Sequence, residues 1–92
     1  MSLIFEWDEN KSRENEKKHG VSFEEAKTIF NDPFAITVYD PDHSINEDRY
    51  IDLGLSSKGR FLVVSYTERG SRIRLISSRE ATRRERRNYE GQ

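Results

Sequence analysis

Apolar residues in this chain come in short blocks: Leu3 to Trp7, Ile51 to Leu55, Phe61 to Tyr66 and Ile73 to Ile76. Blocks of this length suit strands better than helices. Ile4-Phe5-Glu6-Trp7 reads as a first strand, and Asp8 after it is an N-cap for a polar helix running to about Lys18, which Gly20 ends. Ser22-Phe23-Glu24-Glu25 has the spacing of a capping box, with Val21 before it. A second helix therefore runs to about Asn31 and stops before Pro33, with Phe23, Ala26, Ile29 and Phe30 at helical spacing toward the core.

Beyond Pro33 the period changes to two. Ala35 to Tyr39, Arg49 to Leu55, Arg60 to Thr67 and Arg72 to Ser77 read as four strands, separated by turns at Asp40-Pro41-Asp42, Ser57-Lys58-Gly59 and Arg69-Gly70-Ser71. Short connections predict antiparallel pairing. In the last strand the alternation puts Arg72, Arg74 and Ile76 on one face and Ile73, Leu75 and Ser77 on the other. From Arg79 the alternation gives way to a final helix reaching Tyr89, with Gly91 near its end. The expected order is β-α-α-β-β-β-β-α: an α+β fold, its mainly antiparallel sheet packed against helices, in one domain spanning residues 1–92.

With 33% apolar residues the chain would suit disorder if they were scattered; their clustering predicts a folded domain with one small core. Such a core has little room for a buried organic cofactor, and none is expected. The absence of cysteine removes disulfides, thiolate metal sites and cysteine nucleophiles. No apolar run approaches the roughly 18 residues of a membrane span, and no signal peptide opens the sequence, so a cytoplasmic protein with no membrane partner is expected.

Charge changes this picture. The net charge of −1 conceals 13 acids against 6 bases in residues 1–52 (−7) and 4 acids against 10 bases in residues 53–92 (+6). Nine of those ten bases are arginine, whose planar fork matches two phosphate oxygens at once. A phosphate-rich or acidic protein partner is expected. Arg79, Arg83 and Arg86 or Arg87 would share one face of the last helix, and Arg72 and Arg74 on the neighbouring strand extend the field. A merely solvated basic face would look the same. Arg49 heads an otherwise apolar strand face, as a paired structural arginine would, and Glu68 and Arg69 end the longest strand.

His19, before Gly20, is either a cation capping the helix C-terminus or a general acid or base. His43 sits in a polar loop, and the two histidines have no zinc-ligand spacing, so no metal site is expected.

Taken in order, Phe5-Glu6-Trp7-Asp8, Lys18-His19-Gly20-Val21-Ser22-Phe23-Glu24-Glu25-Ala26 and Phe30-Asn31-Asp32-Pro33 resemble the opening of the BrnT family of bacterial toxins. Glu47-Asp48-Arg49-Tyr50 leading to Leu53-Gly54, then Val64 to Gly70, and Ile73 to Arg79 with Ala81, Arg83, Glu85 and Tyr89, are similar to the family's later blocks. Ser78 stands where the family pattern has alanine, a change expected to be harmless. The resemblance implies a RelE-like fold and a type II toxin ribonuclease, neutralised by a BrnA-like antitoxin that binds operator DNA, in a homodimer or hetero-oligomer. It puts Lys18, His19, Arg49, Glu68, Arg69, Arg74, Arg79, Arg83 and Tyr89 at motif positions.

RNA carries its own nucleophile, the 2′-hydroxyl. A metal-free ribonuclease therefore needs a base, donors for the phosphate charge and an acid for the leaving oxygen. The expected catalytic set is His19, Glu68, Arg79 and Arg83, with Lys18, Arg49, Arg69, Arg72, Arg74 and Tyr89 holding RNA phosphates. A non-catalytic module whose arginines grip nucleic acid or an acidic protein is the alternative.

Overall fold

The computed structural model describes residues 3–91. Its elements are β1 (Ile4–Glu6), α1 (Glu9–His19), α2 (Phe23–Ala26) running into a 3₁₀ turn (Lys27–Asn31), β2 (Ile36–Tyr39), β3 (Arg49–Leu55), β4 (Phe61–Arg69), β5 (Arg72–Glu80) and α3 (Arg83–Glu90), with a second 3₁₀ turn at Pro41–His43. The five strands form one mixed sheet in the order β1-β5-β4-β3-β2. Neighbours pair antiparallel except β1, which joins β5 in parallel through Ile4↔Arg72, Phe5↔Ile73 and Glu6↔Arg74.

One face of the sheet carries the core. Val21, Phe23, Ala26 and Ile29 pack on Leu62, Val64, Tyr66, Ile73 and Leu75. An aromatic row, Phe5, Phe30, Tyr66, Tyr50 and Tyr39, runs beneath them with ring centroids 5.0–5.8 Å apart. The 3₁₀ turn lies so close to β3 that a Cβ on Gly54 would come within 3.1 Å of Ile29 Cβ, which is why glycine occupies that strand position.

The second helical segment is shorter than its spacing predicts. Its α-helical part ends at Ala26, and Lys27 to Asn31 tighten into 3₁₀ geometry before Asp32, whose carboxylate accepts from the Phe34 and Leu55 N–H groups. Two further expectations fail on β5. The strand continues through Arg79 and Glu80, which pair with Val63 and Leu62 of β4, and α3 starts only after the Thr82 N-cap. Arg79 is thus a strand residue and shares no helix face with Arg83. The β4–β5 register also shifts at Ser65/Tyr66, where Ser65 faces Ser77 and Tyr66 faces Leu75, leaving Ile76 as an extra residue. This bulge resets the alternation, so Ser78 (1% exposed), not Ser77, joins the buried face.

α1 has no apolar residue, and Asn15 is its only buried one. Its ends are well closed: Asp8 accepts from the Lys11 N–H, and Gly20 turns the chain at φ 71° while its N–H reaches Glu16 O at 2.7 Å. Docking depends on the Asn15 amide. Its Oδ1 accepts from the Ser78 N–H at 3.0 Å, and its Nδ2 donates to Ser78 O at 2.9 Å, Ser78 Oγ at 2.8 Å and Val21 O at 3.0 Å. The amide pairs with β5 as a neighbouring strand would, just past the end of β1. The Ser78 hydroxyl adds one contact to this set; an alanine would keep the two backbone bonds.

Arg60, which the sequence places beside a turn, is likewise structural. Its Nε donates to Glu25 Oε2 at 2.9 Å, its Nη2 donates to Glu25 Oε1 and, at 3.0 Å, to Gly20 O. Glu25 is 3% exposed, and the Arg60 contacts hold its carboxyl below the usual range against the opposing effect of burial. Removing one partner of such a pair strands a buried charge.

Replacing Asn15 by alanine is expected to lower stability by about 2–4 kcal/mol, because buried backbone groups of Ser78 and Val21 lose hydrogen-bond partners, while the exposed Lys17→Ala stays within about 0.5 kcal/mol. Urea unfolding of the two variants measures the difference. Equal midpoints would mean that α1 docks by other means.

Candidate nucleic-acid interface

The face of the sheet opposite the core is where the arginines gather. Cross-strand register builds a row Arg49–Thr67–Arg74–Glu6 across β3, β4, β5 and β1, and beside it a second row Arg69–Arg72–Ile4. Two residues beyond Ser77 on the same face stands Arg79, opposite Val63. Strand alternation, reset by the bulge, gives all five sheet arginines one side.

α3 covers the far end of this face. Tyr89 packs edge-on against Phe61 with centroids 5.0 Å apart and donates its hydroxyl to Asp32 at 2.7 Å, while the Arg86 guanidinium lies 4.4 Å over the Phe61 ring. A capping box closes its N-terminus: the Glu85 N–H donates to Thr82 Oγ1 and the Thr82 N–H to Glu85 Oε1. Glu85 also takes both terminal nitrogens of Arg79, at 2.8 and 2.9 Å. Those bonds, ahead of the opposing effect of burial, bring the Glu85 carboxyl down to about 2.

Most sheet arginines already have acidic partners. Arg74 meets Glu6 at 2.9 Å and Arg72 meets it at 3.9 Å; Arg69 meets Glu47 at 3.2 Å. Arg49 differs. It makes no ion pair among the described residues, and its Nε is buried with no hydrogen-bond partner. It borders a cavity of about 270 Å³ lined by Asp42, His43, Ile45, Asn46 and Glu47, in which His43 is itself tied to Asp40 at 2.8 Å. On α3, Arg83, Arg84 and Arg87 are exposed and make no ion pair among the described residues.

Lys18 and His19 end α1 and are exposed. With Lys11, Glu14, Asn15, Ile76 and Ser77 they line a shallow depression of about 310 Å³. It meets β5 between Arg74 and Arg79, along the stretch that β1 leaves unpaired. The strand edge therefore has the α1 cations on one side and the sheet arginines on the other. Glu68 is not part of this grouping: it pairs with Ile73, which places it on the core-bearing face at the end of β4. Tyr89 and Arg83 stand with α3, the tyrosine hydroxyl committed to Asp32.

Glu85 is absent from the expected site because an acid in an arginine-rich helix reads as a general counter-charge, whereas here it caps α3 and grips Arg79 alone. Lys11 is absent because nothing in a uniformly polar helix marks one lysine above another. Tyr66 and Asp52 form a further buried pair, the hydroxyl donating at 2.8 Å. Burial pushes the Asp52 carboxyl up, and burial with that hydrogen bond pushes the phenol up. This pair sits within the core and away from the arginine face.

The sheet thus packs α2 on its core face and carries five arginines, with α3 at one end, on the opposite face. The fold is similar to the 1.1 Å crystal structure of the Brucella abortus ribonuclease toxin BrnT, with a TM-score of 0.65 and 24% identity over 89% of this chain and 100% of that one. Residues 7–85 match the family model described as the ribonuclease toxin, BrnT, of type II toxin-antitoxin systems, and the chain belongs to that family. No curated protein matches the chain.

The Glu85–Arg79 pair gives α3 a defined acid limit. The folded pKa of Glu85, about 2, lies below the roughly 4.3 of an unfolded glutamate, so its contribution is complete above the higher value and is lost as pH falls through the lower. Protection of α3 amides against hydrogen exchange should drop between those two pH values in the wild type, and Glu85→Gln should remove this step. A pH-independent protection factor in the wild type would show that the pair does not hold α3.

Proposed function

We propose that this protein is a metal-independent endoribonuclease that works at the uncovered edge of β5, with the RNA backbone crossing from the α1 cations to the sheet arginines. The observation that carries this reading is the convergence of Lys18 and His19 with Ile76 and Ser77 on the strand segment between Arg74 and Arg79, in a chain of the BrnT family. The RelE-like assignment of the fold belongs to the same reading.

The chemistry follows from RNA. The 2′-oxygen forms a bond to phosphorus while the bond from phosphorus to O5′ breaks, leaving a 2′,3′-cyclic phosphate and a 5′-hydroxyl. Imidazole is the side chain best suited to proton transfer near neutrality, so His19 takes the 2′-hydroxyl proton, and O5′ takes one from solvent. Negative charge grows on the phosphate oxygens in between, where guanidinium donors stabilise it most. Arg74 and Arg79 fill that role, and Lys18, Arg49, Arg69 and Arg72 steer the flanking phosphates. Glu68 faces the other side of the sheet, and Tyr89 and Arg83 act through α3.

The partner reading follows the same charges. A BrnA-like antitoxin lays an acidic segment across Arg72, Arg74, Arg79 and Arg83, competing with RNA, and contacts operator DNA on the toxin's behalf in a hetero-oligomer. Screening by salt weakens both associations.

The purified protein should cleave RNA in the presence of EDTA and leave 2′,3′-cyclic or 3′-phosphate ends. Arg79→Ala should lower turnover by roughly 10²–10³, the usual consequence of losing a donor to transition-state charge, whereas Arg13→Ala, exposed on α1, should change it less than about twofold. Arg60→Ala is unsuitable as a control because it breaks the Glu25 pair. Loss of cleavage on chelation, or 3′-hydroxyl ends, would overturn the metal-free mechanism; RNA binding without cleavage would favour a gripping module.

A further inference from the structure

Arg79 is held in a way that leaves one chemically specific edge open. A guanidinium has five N–H donors. Three are committed: Nη1 and Nη2 each give one to Glu85, and Nη1 gives its second to Glu80 O at 3.2 Å. Among the described residues, the two that remain without an acceptor are the Nε–H and the second Nη2–H. They lie on the same side of the planar group, parallel to one another, and form the side-on fork that fits two oxygens of a phosphate.

The clamp that leaves this edge open is itself held at several points. Glu85 is fixed by the α3 capping box, and α3 is fixed in turn by Tyr89 on Phe61 and on Asp32. Arg79 is anchored from below by strand pairing with Val63. With 41% of its side chain exposed, Arg79 is accessible to a ligand from solvent.

We propose that Glu85 is a positioning residue for the RNA cleavage site: it grips the end of the Arg79 guanidinium so that the side-on fork is presented to the scissile phosphate. This rests on the ribonuclease reading above. Substrate binding alone does not require the clamp, because a loose arginine attracts phosphate as well as a fixed one and loses a neighbouring negative charge besides. Turnover does require it, since donors that must reorient during the reaction stabilise developing charge poorly.

The test is a double-mutant cycle on the purified full-length protein, with a fluorescent RNA oligonucleotide as probe. Glu85→Gln keeps a residue that supports a capping box but cannot accept at both atoms from Arg79. Turnover should fall at least about tenfold while the dissociation constant for RNA stays level or tightens. In an Arg79→Ala background, Glu85→Gln should cost less than about twofold more, because its effect runs through Arg79. Wild-type turnover in Glu85→Gln overturns the proposal, as does a loss that multiplies in the Arg79→Ala background, the mark of a capping role alone. If Arg79→Ala itself retains full turnover, the placement of the reaction at Arg79 falls and the proposal with it. An inactive Arg79→Ala beside a fully active Glu85→Gln removes only the proposal.

Discussion

A helix without an apolar face has no hydrophobic reason to dock, and in this fold one buried amide supplies the reason. Asn15 pairs with both backbone groups of Ser78 and reaches back to Val21 O. The bonds do three things at once. They satisfy the edge of β5 beyond β1, they close the turn that brings Val21 and Phe23 into the core, and they fix the α1 C-terminus beside Ile76 and Ser77. A strand in the same place would have satisfied the edge but buried it. The amide satisfies Ser78 while leaving the adjacent edge accessible, and the proposed RNA path depends on that.

Other carboxylates, one buried and one partly buried, extend this logic to the rest of the chain. Glu25 draws in Ser56 and Arg60, tying α2 to the turn between β3 and β4. Asp32 accepts from Leu55 N–H and from the Tyr89 hydroxyl, tying the 3₁₀ turn to β3 and α3. A core this small supplies limited hydrophobic stabilisation, and directional bonds between distant segments fix the relative placement of its helices.

The strands were legible because period two and turn residues are local signals, and the capping residues Asp8 and Ser22 mark helix starts for the same reason, whereas the Thr82 cap was passed over. Arg79 was misplaced because propensity favours a helix from that point, whereas pairing with Val63 extends the strand: tertiary context overrides local preference. The bulge at Ile76 was invisible, since an extra residue leaves no mark in composition yet reverses which serine is buried. Asn15 and the Glu25–Arg60 pair were unreadable because their meaning lies in partners 63 and 35 residues away. At the site, the arginine content was evident, and its division between paired and unpaired members was not.

That division reinterprets the polarity of the sequence. The acidic first half and basic second half do not form separate fields; Glu6, Glu25 and Glu47 reach across to Arg72 and Arg74, Arg60, and Arg69. Strand order enforces the exchange, because the parallel pairing of β1 with β5 brings the first acid of the chain onto the arginine strand. Among the described residues the arginine face therefore offers RNA few free cations, chiefly Arg49 and Arg83, Arg84 and Arg87 of α3, and elsewhere on that face a phosphate must displace or share a carboxylate. The Arg69–Glu47 pair and the 3.9 Å Arg72–Glu6 contact are the more exposed of these, and exposed pairs are worth little in water, so their displacement is inexpensive. Arg79 is the exception, since Glu85 grips it bidentately within a capped helix. A surface on which Arg69 and Arg72 are loosely paired and Arg79 is gripped at both terminal nitrogens can exchange counter-ions for a passing backbone while keeping one guanidinium in fixed geometry.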